Sequence, residues 1–244
     1  MSRLQGKTAV VTGGGSGIGL GAAKRFIDEG AFVYIFGRRQ EALDAAVAQL
    51  GSSARAIKGS VTDLSDLDRL YAAVKAERGG LDILFANAGT GAFAPLGEIT
   101  PEHYDQIFDV NVKGLVFTVQ KALPLMKKGS SIILTGSSTG VMGTPQFSIY
   151  SATKAAIRNL ARSWAQDLRG TGIRVNVLSP GPTKTELALE VVGEEAFNAL
   201  GTTTPLGRVG DPAETGAVAA FLASSDSSFM TGGEVFVDGG LAQV

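Results

Sequence analysis

The stretch "TAVVTGGGSGIGLGAAKRFIDEG", residues 8–30, decides the fold. It opens with a short β-branched and apolar run, turns through a glycine-rich segment, and closes with a helical pattern that ends at Gly30, a residue suited to a helix C′ position. Strand, glycine turn and helix in that order make half of a β-α-β unit. The same alternation continues outward from it. Further strand-like runs are "FVYIF" (32–36), "ARAIKG" (54–59), "DILFAN" (82–87), "SIILTG" (131–136), "IRVNVLS" (173–179) and "EVFVDG" (234–239). Most are apolar on both faces, as strands of a parallel sheet covered on both sides must be.

Helical patterns lie between the strands at 17–30, 39–51, 63–80, 100–126, 150–170 and 211–224. The third carries Leu64, Leu67, Leu70, Tyr71 and Val74 along one stripe. In the fourth, Thr100 is an N-cap and Pro101 sits at N1; in the last, Asp211 and Pro212 play the same parts. The pattern predicts an α/β fold: a doubly wound parallel sheet of about seven strands, helices on both faces, one domain over residues 1–244. Such sheets bind ligands at the carboxyl ends of their strands, near the switch in strand order.

The 244 residues are 44% hydrophobic and 18% charged, with a formal net charge of −1. These values describe a globular chain with no electrostatic footprint for nucleic acid. Cysteine is absent, which excludes disulfides, thiol nucleophiles and cysteine metal sites. No metal site is expected. The start lacks a signal-peptide pattern and no apolar run reaches membrane-spanning length, so no membrane partner and a cytoplasmic location are expected. Ser137 is not read as a hydrolase nucleophile, because the only histidine, His103, reads as a surface residue early in a helix.

The turn "TGGGSGIG" (12–19) follows a strand and opens a helix. Glycines let backbone N–H groups approach a phosphate, and the positive helix end favours the anion. No Lys-Ser/Thr pair follows, which argues against a P-loop nucleotide hydrolase. A dinucleotide is the expected ligand. At the end of the second strand "FGRR" supplies Arg38 and Arg39 where an NAD-type site would carry a carboxylate. Two guanidiniums suit a ribose 2′-phosphate, so NADP(H) is favoured, with NAD(H) the alternative.

Six motifs in order then make the chain resemble the short-chain dehydrogenase/reductase family over essentially its full length. They are "TGGGSGIG" (12–19), "NAG" (87–89), Asn111 in "VNVKG", Ser137 in "TGSSTG", "YSATK" (150–154) and "PGPTKTE" (180–186). The resemblance implies a Rossmann-type fold, with Tyr150 the proton donor or acceptor at the substrate oxygen and Ser137 a hydrogen-bond partner of that oxygen. It implies that Lys154 holds the nicotinamide ribose and that Asn111 helps hold a water in a proton relay through Lys154. On the cofactor side it implies Gly13, Gly15, Ser16, Gly17, Ile18 and Gly19 at the phosphates. Asn87, Ala88 and Gly89 would shape the pocket, with Pro180, Gly181, Thr183 and Thr185 around the nicotinamide. Ser60 and Val61 stand where the family usually has Asp-Val or Asp-Leu beside adenine, which weakens that contact. It implies a homotetramer too.

A phenol has a pKa of about 10, and bringing it to about 7 takes roughly 4 kcal/mol of preferential stabilisation of the phenolate. Positions 150 and 154 share a helix face, so the expected source is the Lys154 ammonium, helped by the oxidised nicotinamide. A hydroxyl at Ser137 can donate or accept, so it serves reduction and oxidation alike. Substrate-facing positions are expected near Ala92, Phe93, Thr139, Met142, Thr144 and Gln146, and in a lid at 187–205. The expected reaction is hydride exchange between nicotinamide and a neutral ketone or secondary alcohol. Alternatives are reduction of a carrier-bound 3-oxoacyl thioester, which a basic patch at the site mouth would favour, and a non-catalytic dinucleotide-binding sensor or scaffold.

Overall fold

A computed structural model describes residues 2–244. Seven strands form one all-parallel sheet in the order β3-β2-β1-β4-β5-β6-β7. The elements run β1 (Thr8–Thr12), α1 (Gly17–Asp28), β2 (Phe32–Gly37), α2 (Gln40–Leu50), β3 (Ala54–Lys58), α3 (Leu64–Arg78) and β4 (Leu81–Ala86). There follow α4 (Pro101–Phe108), α5 (Leu115–Ala122), β5 (Met126–Thr135), α6 (Ser148–Asp167) and β6 (Arg174–Pro180). The chain ends with α7 (Glu186–Val192), α8 (Glu194–Leu200), α9 (Pro212–Ala223) and β7 (Glu234–Val237). The strand order reverses at β1, which pairs with β2 on one side and β4 on the other. The crevice at that switch is where the glycine turn emerges.

Alternation along the strands divides the core into two layers. Val10, Tyr34, Phe36, Leu84 and Ile132 meet α3, α5 and α6 through Leu67, Leu70, Leu115, Val119 and Ile157. Val11, Val33, Ile35, Phe85 and Leu178 meet α1, α2 and α9 through Phe26, Leu43, Ala219 and Ala220. Burying both faces accounts for the near-continuous apolar runs. α1 and α9 approach backbone to backbone. A Cβ on Gly21 would lie 2.7 Å from the Pro212 carbonyl oxygen, and one on Gly216 would lie 2.7 Å from the Gly21 carbonyl oxygen.

The predicted caps are present. Thr100 accepts from the His103 N–H, and Asp211 forms a capping box with Glu214, with Pro101 and Pro212 at the first turns.

Some expectations need correction. Leu64 is exposed, because it lies in the first turn of α3, above the sheet contact. The long helix expected over 100–126 is not one α-helix: α4 passes into a π-helical segment, Asp109–Gly114, before α5, and α-helix ends at Ala122. A short 3-10 turn, Leu123–Leu125, follows around Pro124, and β5 starts at Met126 rather than 131. The pairing of β5 with β4 jumps from Leu81↔Met126 to Ile83↔Ser131, so the early part of β5 bulges out of register. The 187–205 segment, read only as a lid, is built largely of two short helices, α7, which starts one residue earlier at Glu186, and α8.

Candidate active site

The glycine turn is tied to the end of β4. Thr12 Oγ1 accepts from the N–H groups of Asn87 and Ala88, both at 3.0 Å, and Asn87 Nδ2 donates to the Thr12 carbonyl at 3.1 Å. Gly13 has φ +66°, a left-handed conformation that a side chain would strain. A Cβ on Gly19 would lie 2.2 Å from the Gly13 carbonyl oxygen, so the turn closes only on glycine there. Ser16 is the N-cap residue of α1 but makes no side-chain cap, which leaves first-turn N–H groups without a capping oxygen. Gly13, Gly15, Gly17 and Ile18 are partly exposed around this turn. A backbone cradle of glycines opening onto an uncapped helix N-terminus fits a dinucleotide pyrophosphate.

At the carboxyl end of β2, Arg38 is exposed. The Arg39 guanidinium donates from Nη2 to Ser16 Oγ at 3.2 Å and to Glu186 Oε2 at 3.0 Å. After β3, the Ser60 hydroxyl lies 2.8 Å from Thr62 Oγ1, and the Ser60 N–H donates to Asp66 at 2.8 Å. The Val61 side chain is buried in the core, against the position a Cβ on Gly114 would take.

Asn111, Ser137, Tyr150 and Lys154 come together from two helical elements and the loop after β5. The π-helical segment turns Asn111 inward to 1% exposure. π-bulges of this kind recur at functional sites. Asn111 Oδ1 accepts from the Thr90 N–H at 2.8 Å, while its Nδ2 donates to the Thr90 carbonyl at 2.9 Å and to Thr153 Oγ1 at 3.1 Å. Asn111 thus clamps the loop after "NAG" to α6. A Cβ on Gly89 would lie 3.4 Å from Asn111 Oδ1 and 3.7 Å from Lys154 Nζ, so both groups converge beside that glycine.

Ser137 follows β5. Its Oγ accepts from the Thr139 N–H at 3.2 Å and from Thr139 Oγ1 at 3.1 Å. With its lone pairs occupied, the Ser137 hydrogen is left to donate. Tyr150 lies in the first turn of α6. Its ring stacks on Phe147 at a centroid distance of 4.3 Å, and Phe147 packs in turn on Phe93 at 4.5 Å. Gln146, next to Phe147, has φ +59°, rare for a residue with a Cβ; its carbonyl accepts from the Ala94 N–H at 2.8 Å. That contact holds the 93–94 loop against the stack.

Lys154, only 4% exposed, donates from Nζ to the Thr135 carbonyl at 2.9 Å and lies 5.3 Å from the centre of the Tyr150 ring. Burial pushes its pKa down to about 8. Burial pushes the Tyr150 phenol up to about 12, and the Ser137 hydroxyl acts against that rise. The expected lowering of the phenol by its ammonium neighbour is therefore not what the chain by itself produces. The ammonium faces a backbone carbonyl and the ring, and desolvation dominates.

Pro180 ends β6, and a Cβ on Gly181 would lie 2.6 Å from Asp238 Cα, so the β6 and β7 ends touch there. Thr183 is buried and donates to the Gly181 carbonyl at 3.1 Å. Thr185 caps α7 by accepting from the Ala188 N–H at 3.1 Å, and a Cβ on Gly17 would meet its side chain at 3.0 Å. Thr90, Thr135, Thr153 and Phe147 also build the site and were not singled out from the sequence. Thr135 and Thr153 lie inside "TGSSTG" and "YSATK", while only adjacency to "NAG" and "YSATK" could have drawn attention to Thr90 and Phe147.

The profile of a family described as enoyl-(acyl carrier protein) reductase matches residues 13–242. The chain is 65% identical over 246 residues to oxidoreductase asL5 of Sarocladium schorii, covering 100% of this chain and 99% of that protein. It is 34% identical to the NADP-dependent (R)-specific alcohol dehydrogenase of Lentilactobacillus kefiri, covering 98% and 97%. Among solved structures, the 3-ketoacyl-(acyl-carrier-protein) reductase of Brucella melitensis complexed with NADH superposes with a TM-score of 0.91 at 31% identity, covering 98% of this chain and 99% of that one. With the sheet order, the glycine turn and the Asn-Ser-Tyr-Lys cluster, these matches mean that the chain belongs to the short-chain dehydrogenase/reductase family, a family of nicotinamide-dependent oxidoreductases.

Proposed function

We propose that the protein reduces a neutral ketone to a secondary alcohol, and runs the reverse oxidation, with Tyr150 as the acid-base group. The observation that carries this reading is one cluster: Asn111 and Lys154 meet beside Gly89, Lys154 lies by the Tyr150 ring, and the Ser137 hydroxyl reaches the Tyr150 phenol. The nicotinamide, when bound, supplies or accepts the hydride. The turn residues Gly13, Gly15, Ser16, Gly17, Ile18 and Gly19 hold the pyrophosphate. Lys154 holds the ribose, and Asn87, Ala88, Gly89, Pro180, Gly181, Thr183 and Thr185 frame the ring. Ser60 and the backbone of Val61, whose side chain is turned into the core, flank the adenine.

Tyr150 starts protonated at neutral pH, since burial holds its pKa high. A protonated phenol gives its proton to the developing alkoxide, which is the role reduction needs. The Ser137 hydrogen, not used by Thr139, donates to the same oxygen and stabilises its charge. Asn111 keeps the Thr90 loop and α6 in register, so the pocket does not open as protons move.

Phe93 and Phe147 extend the Tyr150 ring into an apolar wall, which favours a flat or cyclic ketone. Reduction of a carrier-bound 3-oxoacyl thioester is the second reading, favoured by what the Brucella neighbour is called. Against it, the 187–205 lid contains Glu190, Glu194 and Glu195 and neither lysine nor arginine, and of the two basic residues that flank it, Lys184 and Arg208, the second is paired with Glu214. Arg38 and Arg39 favour NADP(H) over NAD(H), and the working assembly is a homotetramer.

The deciding experiment is a panel of cyclic and aromatic ketones, and one carrier-bound 3-oxoacyl thioester, followed with NADPH and NADH. Tyr150→Phe is run alongside. Turnover of a free ketone, a larger kcat/KM with NADPH, and a loss of several orders of magnitude in kcat with the fold retained are expected. Near-wild-type turnover of Tyr150→Phe rejects the assignment, and carrier-dependent turnover alone selects the second reading.

A further inference from the structure

The glycine turn and the lid are joined by one side chain. Arg39, fixed at the N-cap of α2, spans from Ser16 Oγ at 3.2 Å to Glu186 Oε2 at 3.0 Å. Glu186 opens α7, and the preceding Thr185 sits within contact of Gly17. The base of the lid therefore rests on the turn, and its first carboxylate occupies the guanidinium that the cofactor reading assigns to a ribose 2′-phosphate. Both side chains remain accessible, at 65% and 69% exposure, so a ligand can reach the pair.

We propose that Glu186 is a specificity-determining residue: its carboxylate competes with the 2′-phosphate of a phosphorylated dinucleotide for Arg39. The inference rests on the reading that Arg39 faces the adenosine ribose. A phosphate dianion offers the guanidinium more charge and more acceptor oxygens than a carboxylate does, so the phosphorylated ligand displaces Glu186. A ligand with a plain 2′-hydroxyl cannot displace it in this way. Binding of the phosphorylated form thus exchanges the Arg39–Glu186 pair for a ligand contact and unties α7. An exposed pair of this kind is worth a factor of about five or less, which sets the size of the effect.

The test uses fragments without a nicotinamide, so turnover plays no part. Adenosine 2′,5′-bisphosphate and adenosine 5′-monophosphate are titrated calorimetrically into the wild type, Glu186→Gln, Arg39→Ala and the double variant. Glu186→Gln is expected to tighten the bisphosphate about threefold and to leave the monophosphate within about twofold. It is expected to do nothing in the Arg39→Ala background. Equal changes for both probes, or a gain that survives without Arg39, overturn the proposal. If Arg39→Ala weakens the bisphosphate while Glu186→Gln leaves it unchanged, this proposal alone fails. If Arg39→Ala leaves the bisphosphate unaffected, the 2′-phosphate reading fails and takes the proposal with it.

Discussion

At the scale of single residues, the informative pair is Tyr150 and Lys154, whose positions were legible and whose electrostatics were not. Their spacing in "YSATK" puts them on one helix face, and they share it. What the spacing does not reveal is that Thr135 offers its carbonyl to the ammonium and that packing strips both groups of water. Those facts depend on β5, whose end lies apart from α6 in sequence. The lysine's folded pKa of about 8 lies below its ordinary 10.5, so between those values the unfolded chain binds the extra proton. Stability from this group therefore rises with pH across that window, and its cost is full below about 8. Lys154→Met is expected to stabilise the cofactor-free chain by about 1–3 kcal/mol at neutral pH, the hydrogen bond to Thr135 reducing the full desolvation figure. The gap to wild type should close toward pH 10. Denaturant melts of both proteins at several pH values would reveal it, and a pH-independent gap would contradict desolvation of the ammonium as its cause.

At the scale of elements, caps were readable because a cap is a local arrangement between a side chain and its own helix. Thr100, Asp211 and the prolines after them needed only their neighbours in sequence. The π-helical segment at Asp109–Gly114 was not readable, because no residue there forbids an α-helix. It exists because Asn111 gains Thr90 and Thr153 as partners, and both lie outside its own helix. The α7 and α8 helices escaped notice for a related reason: each is seven residues long, too short for a periodic signal to stand out. The contact between α1 and α9 yields the prediction at this scale. Gly216→Val puts methyl groups where the Gly21 backbone already stands, 2.7 Å from the new Cβ. Overpacking of this order costs about 1–3 kcal/mol, or more where backbone must move. Because α1 carries the glycine turn, cofactor affinity should fall together with Tm, although Gly216 lies in neither the turn nor the Tyr150 cluster. Unchanged cofactor affinity in a destabilised variant would show that the turn does not depend on that contact.

At the scale of the whole molecule, the layer plan followed from strand patterning alone, since buried parallel strands must be apolar on both faces. Strand order did not, because the order depends on which helices cover which side. Among the described residues, no helix is long and apolar enough to cross a membrane. Among the described residues the edge strand β7 pairs only with β6, all four of its residues are partly exposed, and Phe229, shortly before it in the chain, is fully exposed. An open edge beside an uncovered aromatic is a surface that proteins usually cover. Light scattering is expected to give about four times the 25.1 kDa of one chain, and Phe229→Asp to shift the mass downward. A single-chain mass for the wild type would end the tetramer reading.

The interlock of Gly21 with Pro212 and Gly216 has a consequence for the order of synthesis. A ribosome delivers the turn and its helix long before the partner helix. Until α9 has emerged, α1 has nothing to rest on along that side, so a nascent chain carries this nucleotide cradle unfinished. A dinucleotide would meet the completed cradle only once α9 has been made.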